Sequence, residues 1–186
     1  MQTTWMRDYL DQYRKTLFDA AVCAQLVDLK TLFAQVKSAG GKIIFAGNGG
    51  SAAMASHCAV DFTKTAGLRS INFNESDLIT CFANDYGYEN WISKALEMYA
   101  DSPDAVVLIS SSGKSPNIIN AAEYARSKGL KLVTFTGFHK DNTLRKLGQI
   151  NFWVDSSRYN IVENTHIIWL LAVCDLMIAK SGRSTS

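Results

Sequence analysis

The run Ile43-Ile44-Phe45-Ala46-Gly47-Asn48-Gly49-Gly50-Ser51-Ala52 decides how the chain is read. Its first four residues are apolar and include two β-branched side chains, the pattern of a strand covered on both faces. The glycines end that strand, and a helical pattern follows over residues 51–65. Strand, glycine turn and helix in this order open a βαβ unit, so more units are expected downstream.

They are found. Short apolar runs predict strands at 70–73, 105–109, 132–135 and 150–154, and helical patterns occupy 76–83, 91–98, 115–128 and 160–180. This alternation predicts an α/β protein with a parallel, doubly wound sheet and a ligand outside the carboxyl ends of the strands. Upstream, residues 5–38 contain neither Gly nor Pro and place Leu10, Tyr13, Leu17, Leu26, Leu29, Phe33 and Val36 at helical spacing. They predict one long helix or two consecutive ones. Their apolar positions spread beyond one narrow face, which predicts cover by a partner subunit as well as by the chain's own core.

At 186 residues the chain fits one domain, 1–186, with residues 1–40 as a helical segment used in oligomer packing; the usual size is roughly 100–200 residues per domain. The formal charge is +2, and no Lys/Arg run interleaves with aromatic residues. Nucleic acid is therefore not an expected partner. Residues 1–11 lack a basic region followed by an apolar stretch, and no 18 consecutive apolar residues occur. A cytoplasmic protein without a membrane partner is expected. The basic residues Lys180 and Arg183 read as a frayed end. Cys23, Cys58, Cys81 and Cys174 form no CxxC pair and sit in apolar contexts, so reduced, buried thiols are expected.

The chemistry concentrates in two strand-to-helix turns. Gly47 to Ala52 lacks the spacing of a dinucleotide fingerprint, and no Gly-Lys-Ser/Thr follows, so no nucleotide cofactor is expected. Its glycines permit close approach of a ligand at a helix N-terminus, where free N–H groups favour an anion. Taken alone, a purely geometric turn fits equally well. The second turn, Ser110-Ser111-Ser112-Gly113-Lys114-Ser115, follows a strand and precedes Pro116, a residue suited to the first position of a helix. Four hydroxyls beside unpaired N–H groups suit a phosphate dianion. The competing reading has Ser115 as a helix cap and the other serines as turn formers. Lys114 would attract the phosphate without touching it.

Together with His57 and Asp61 on the helix after the glycine turn, Asn84-Asp85-Tyr86-Gly87, Thr134 to Gly137, and a late helix bearing Glu163 and His166, these turns resemble the phosphoheptose isomerase family of the sugar-isomerase (SIS) superfamily. The resemblance covers nearly the whole chain. It implies a flavodoxin-like three-layer α/β sandwich assembled as a homotetramer with active sites between subunits. It implies interconversion of sedoheptulose 7-phosphate and a heptose 7-phosphate for lipopolysaccharide or capsule synthesis. Phosphate and substrate would be held by Asn48, Gly49, Gly50, Ser51, Asn84, Asp85, Ser110, Ser111, Ser112 and Ser115.

Three departures bear on the chemistry. Asp61 stands where the family has a catalytic glutamate, one methylene longer. Glu163 stands where it carries a glutamine, and Leu171 where it has a second histidine, general acid or zinc ligand in some members. Two readings follow. In one, His57, Asp61 and Glu163 form a rearranged acid/base site or a metal site, with zinc as the candidate ion; paired carboxylates drive one pKa upward, separating acid from base. In the other the protein binds a phosphosugar without catalysis, similar to the replication-initiator-associating member of the family. Asp85 would accept hydrogen bonds from substrate hydroxyls or cap its loop, His166 reads as a hydrogen-bonder at a subunit interface, and His139 with Lys140 and Asp141 reads as solvated surface.

Overall fold

The computed structural model describes residues 1–18 and 20–179, so the predicted tail at Lys180 and Arg183 lies outside it. In chain order the elements are α1 (Gln2–Leu17), α2 (Ala20–Ser38), β1 (Ile43–Gly47), α3 (Gly50–Lys64), β2 (Ser70–Asn72), α4 (Ser76–Tyr86), α5 (Trp91–Tyr99), β3 (Ala105–Ser110), α6 (Pro116–Ser127), β4 (Lys131–Thr136), β5 (Ile150–Trp153) and α7 (Tyr159–Ala179). A short 3-10 turn, Leu144–Lys146, separates β4 from β5. Every predicted strand forms: β1, β3 and β4 are apolar runs buried on both faces, whereas the edge strands β2 and β5 are only partly buried.

The sheet order is β2-β1-β3-β4-β5, and every pair is parallel. Alternate side chains of β1 divide between two cores. Ile43 and Phe45 join residues of α2, α3 and α7 on one face, and Ile44 and Ala46 join residues of α5 and α6 on the other. Leu78, Ile79 and Phe82 of α4 pack against that second core. On the first face, the Phe33 ring meets Phe62 edge-on at 5.2 Å, and Phe62 lies 5.7 Å from Phe45. All three rings are fully buried, and they fix α2 and α3 on β1.

The N-terminal segment is two helices. Phe18, at φ −107° and ψ 36°, leaves the helical region. The break lets two surfaces be followed that one straight helix could not. Thr16 of α1 hydrogen-bonds Thr165 of α7 at 3.0 Å, whereas α2 buries Leu29, Phe33 and Val36 against the sheet. No residue of α1 is buried, and Trp5, Met6 and Leu10 are each about half exposed or more. By length and composition α7 could cross a membrane, but half of that stretch is buried within the chain, as in a core helix.

Two expectations are corrected here. Asn84, Asp85 and Tyr86 are not a loop: they form the last turn of α4, which ends only at Gly87 with φ 82°. The aromatic contact of Phe82 with Tyr86, 5.8 Å apart, holds that turn helical against the loop-forming preference of Asn-Asp. All four cysteines are free, but only Cys58 and Cys174 are buried. Cys23 and Cys81 are exposed because α2 and α4 turn those positions away from the sheet. Burial drives the Cys58 thiol up to about 12 and Cys174 up to about 11, so both stay protonated.

Candidate functional site

Adjacent strands place the two turns side by side. Gly47 at the end of β1 is paired with Ile109 near the end of β3, so both chains leave the sheet at the same edge. The following helices depart to opposite faces, α3 into the first core and α6 into the second. A crevice opens where connections diverge in this way, outside the carboxyl ends of parallel strands.

A cavity of about 270 Å³ occupies the crevice. It is lined by the glycine-turn residues Asn48, Gly49, Gly50 and Ser51 and by Ser110, Ser111, Ser112 and Ser115. Gly49 has φ +56°, a conformation that L side chains rarely adopt. Gly50 is approached by the Glu163 carboxylate so closely that a Cβ would collide with it.

The competing role for Ser115 fails on geometry. Ser115 is the N-cap residue of α6, yet its side chain makes no cap hydrogen bond. Its hydroxyl lies instead 3.5 Å from that of Ser110. Ser111, which lines the cavity, keeps a buried hydroxyl without a hydrogen-bond partner. Buried polar atoms are nearly always paired, so an unpaired one in a cavity marks a place for a ligand atom. Among the described residues no lysine or arginine lines the cavity, and Lys114 is exposed and outside it. Attraction for an anion comes from the N-termini of α3 and α6.

Two further residues line it that sequence reasoning did not identify as ligand contacts. Tyr159 opens α7 and stands edge-on to Phe138 at 4.8 Å. Ile109 forms the apolar floor. Neither carries a local signal: Tyr159 reaches the cavity only because α7 packs back against α2 and α3 beside the end of β4. Glu163 comes from the same helix one turn on, and burial raises its pKa. A phosphate nearby would raise it further.

The other predicted residues lie elsewhere. His57 Nε2 and Asp61 Oδ2 are 3.2 Å apart on α3, with side chains 53% and 37% exposed. Neither lines the cavity. His57 follows Gly50 by seven residues, about 10 Å of helix. The proposed union of His57, Asp61 and Glu163 is therefore corrected for the single chain: Glu163 meets the start of α3, and the pair sits two turns and more beyond. Among the described residues no group of three or more His, Cys, Asp or Glu side chains is placed to hold a metal. The His57–Asp61 pair alone does not make the four-coordinate site zinc prefers. Asn84 and Asp85 also lie outside the cavity, with Asn84 Nδ2 donating to Asp85 Oδ1 at 2.9 Å.

His166 is corrected as well. It is wholly buried in its own chain, its Nε2 is 3.0 Å from the Thr136 carbonyl oxygen, and its ring meets Phe135 edge-on at 5.5 Å. Burial lowers its pKa to about 4, so it is neutral and holds α7 to the end of β4. Leu171 is half-buried on α7 and offers no titrating group. His139, Lys140 and Asp141 are exposed, as expected of solvated surface.

A parallel sheet in this order with a crevice at its switch point defines a doubly wound α/β protein, and the SIS domain family matches residues 8–137. A phosphoheptose isomerase of Burkholderia pseudomallei is 35% identical over 144 residues, covering 74% of this chain and 73% of that protein. One of Thermodesulfovibrio yellowstonii is 35% identical over 156 residues, covering 81% and 77%. The solved structure of a phosphoheptose isomerase from Neisseria gonorrhoeae superposes with a TM-score of 0.83 at 26% identity, covering 95% of this chain and 98% of that one. The chain belongs to the phosphoheptose isomerase family.

Proposed function

We propose that the protein is an aldose–ketose isomerase interconverting sedoheptulose 7-phosphate and a heptose 7-phosphate. The observation that carries this reading is the N-cap Ser115 that caps nothing, leaving its hydroxyl and the α6 N-terminus turned to a cavity shared with Ser110, Ser111 and Ser112. A phosphate there accepts hydrogen bonds from these hydroxyls and from Ser51. The heptose chain then extends away from the two helix ends.

In the ketose-to-aldose direction a base removes a proton from C1 while an acid protonates the C2 oxygen, giving an enediol. Return of the proton to C2 with loss of the O1 proton gives the aldose. Asp61 acts as the base, held by His57 at 3.2 Å. Glu163 acts as the acid, because burial favours its protonated form. Two facts support assembly across a subunit interface: the pair and Glu163 lie apart in one chain, and the pair is partly exposed. In a homotetramer packed through α1 and α2, His57 and Asp61 of one subunit would face the cavity of another. The exposed Trp5, Met6 and Leu10 support that packing. The setting is cytoplasmic lipopolysaccharide or capsule heptose synthesis.

Leu171 favours the second reading, a binder without turnover, while the isomerases among the curated relatives favour the enzyme. The test is incubation with sedoheptulose 7-phosphate, with and without added zinc, following aldose formation by NMR. Aldose signals are expected. Phosphosugar binding without turnover in either condition would overturn the isomerase.

A further inference from the structure

Asn48 and Asn117 form a reciprocal amide pair. Asn48 Nδ2 donates to Asn117 Oδ1 at 2.9 Å, and Asn117 Nδ2 donates back to Asn48 Oδ1 at 2.9 Å. The Tyr88 hydroxyl donates to the same Asn48 Oδ1 at 3.3 Å. Asn117 is 2% exposed and is the second residue of α6, directly behind the serine turn. Asn48 is the second residue of the glycine turn. The pair therefore ties together the two turns that form the cavity, beyond the last paired residues of β1 and β3.

The pair also settles what Asn48 does. Its amide oxygen accepts from two donors and one of its amide hydrogens is given to Asn117, so most of its capacity serves the framework. A third element is held in the same way. Asn120, one turn along α6, donates through Nδ2 to the Glu89 carbonyl at 2.9 Å and to Asn90 Oδ1 at 3.1 Å. The connection between α4 and α5 is thus fastened to α6 by Asn120 and to the glycine turn by Tyr88.

We infer that Asn117 is a positioning residue that sets the spacing between the glycine turn and the serine turn, acting through Asn48, and so determines the affinity of the cavity for phosphate. Anion binding by several donors depends on all of them reaching one point. A misplacement of one turn by ~1 Å removes donors from contact without touching any of them. Breaking the pair costs most at Asn117, which is 2% exposed and would be left unsatisfied away from water. The inference rests on the phosphate-binding reading of the cavity, not on the identity of the sugar or on turnover.

The experiment is a double-mutant cycle of Asn48→Ala, Asn117→Ala and the double variant, read by titrating inorganic phosphate calorimetrically. Asn117→Ala is expected to weaken phosphate about ten-fold, or about 1.4 kcal/mol. The double variant is expected to be no weaker than the worse single one, since either change breaks the same pair. The KM for sedoheptulose 7-phosphate should rise with the phosphate Kd, and kcat at saturation should fall far less. A purely structural role would instead lower the melting temperature and the amount of active protein, leaving phosphate affinity intact. That result, or losses that simply multiply in the double variant, would overturn the inference. If Asn117→Ala does not fold, Asn117→Ser, which leaves a hydroxyl and a smaller void, takes its place in the cycle. Failure of the wild-type protein to bind phosphate would sink the phosphosugar reading itself, a distinguishable outcome.

Discussion

The two ends of the proposed site are built differently. The phosphate end is complete within one chain: turns at paired strand ends, helix N-termini, and hydroxyls from residues 110–115. The acid/base end is not, for His57 and Asp61 lie partly exposed on α3 while Glu163 lines the cavity. Anion binding needs short side chains and backbone groups, which a strand-to-helix turn delivers locally. Proton transfer needs carboxylates from separate helices to meet at one carbon, which only assembly of larger pieces achieves.

Four measurements would break or sharpen that contrast. The largest effect is expected from Asp61→Asn, which should lower kcat about 1000-fold while phosphate binding persists, because a positioned general base is worth 10²–10⁴-fold. Loss of phosphate binding in this variant would erase the separation of the two ends.

Next comes stability against pH. His166 has a native pKa lowered to about 4, below its ordinary 6.5, so the unfolded chain binds the extra proton first. Its contribution is present above pH 6.5 and is lost as pH falls toward 4, a change of about 3 kcal/mol. Denaturant titrations should show that slope in the wild-type protein and a smaller one in His166→Gln, with the phosphate end unchanged at neutral pH.

Glu163→Gln should lower kcat about 100-fold, the low end of what a positioned acid contributes. As an acid, Glu163 works while protonated, so wild-type activity should fall as pH rises through its raised pKa. That limb should vanish in the variant's pH profile. The smallest effect is expected for Ser115→Ala, a KM increase of about ten-fold from one charge-assisted hydrogen bond. An unchanged KM would return Ser115 to the role of an ordinary turn residue.

Much of this contrast was legible before any coordinates. Apolar runs such as Ala105 to Ile109 announce buried strands because burial on both faces leaves no room for polar alternation. The serine turn was legible because four hydroxyls gather at a helix start marked by Pro116. Asn84 to Tyr86 misled, since Asn-Asp favours turns locally while packing of Phe82 on Tyr86 keeps the helix going to Gly87. His166 misled for a related reason: a histidine on an apolar helix reads alike whether it faces a partner or its own core, and the contact with Thr136 decides it.

The two strand-to-helix turns, Gly47 to Ser51 and Ser110 to Ser115, were determined by sequence alone, because glycine conformation, helix starts and strand ends are set by residues a few positions apart. The tertiary structure alone decided that Asn48 meets Asn117 across 69 residues, that Glu163 closes on Gly50, and that His57 and Asp61 stand away from both. Those distances follow from strand register and from how α3, α6 and α7 pack on the sheet. Such relations join distant segments, and no local pattern in the chain encodes them.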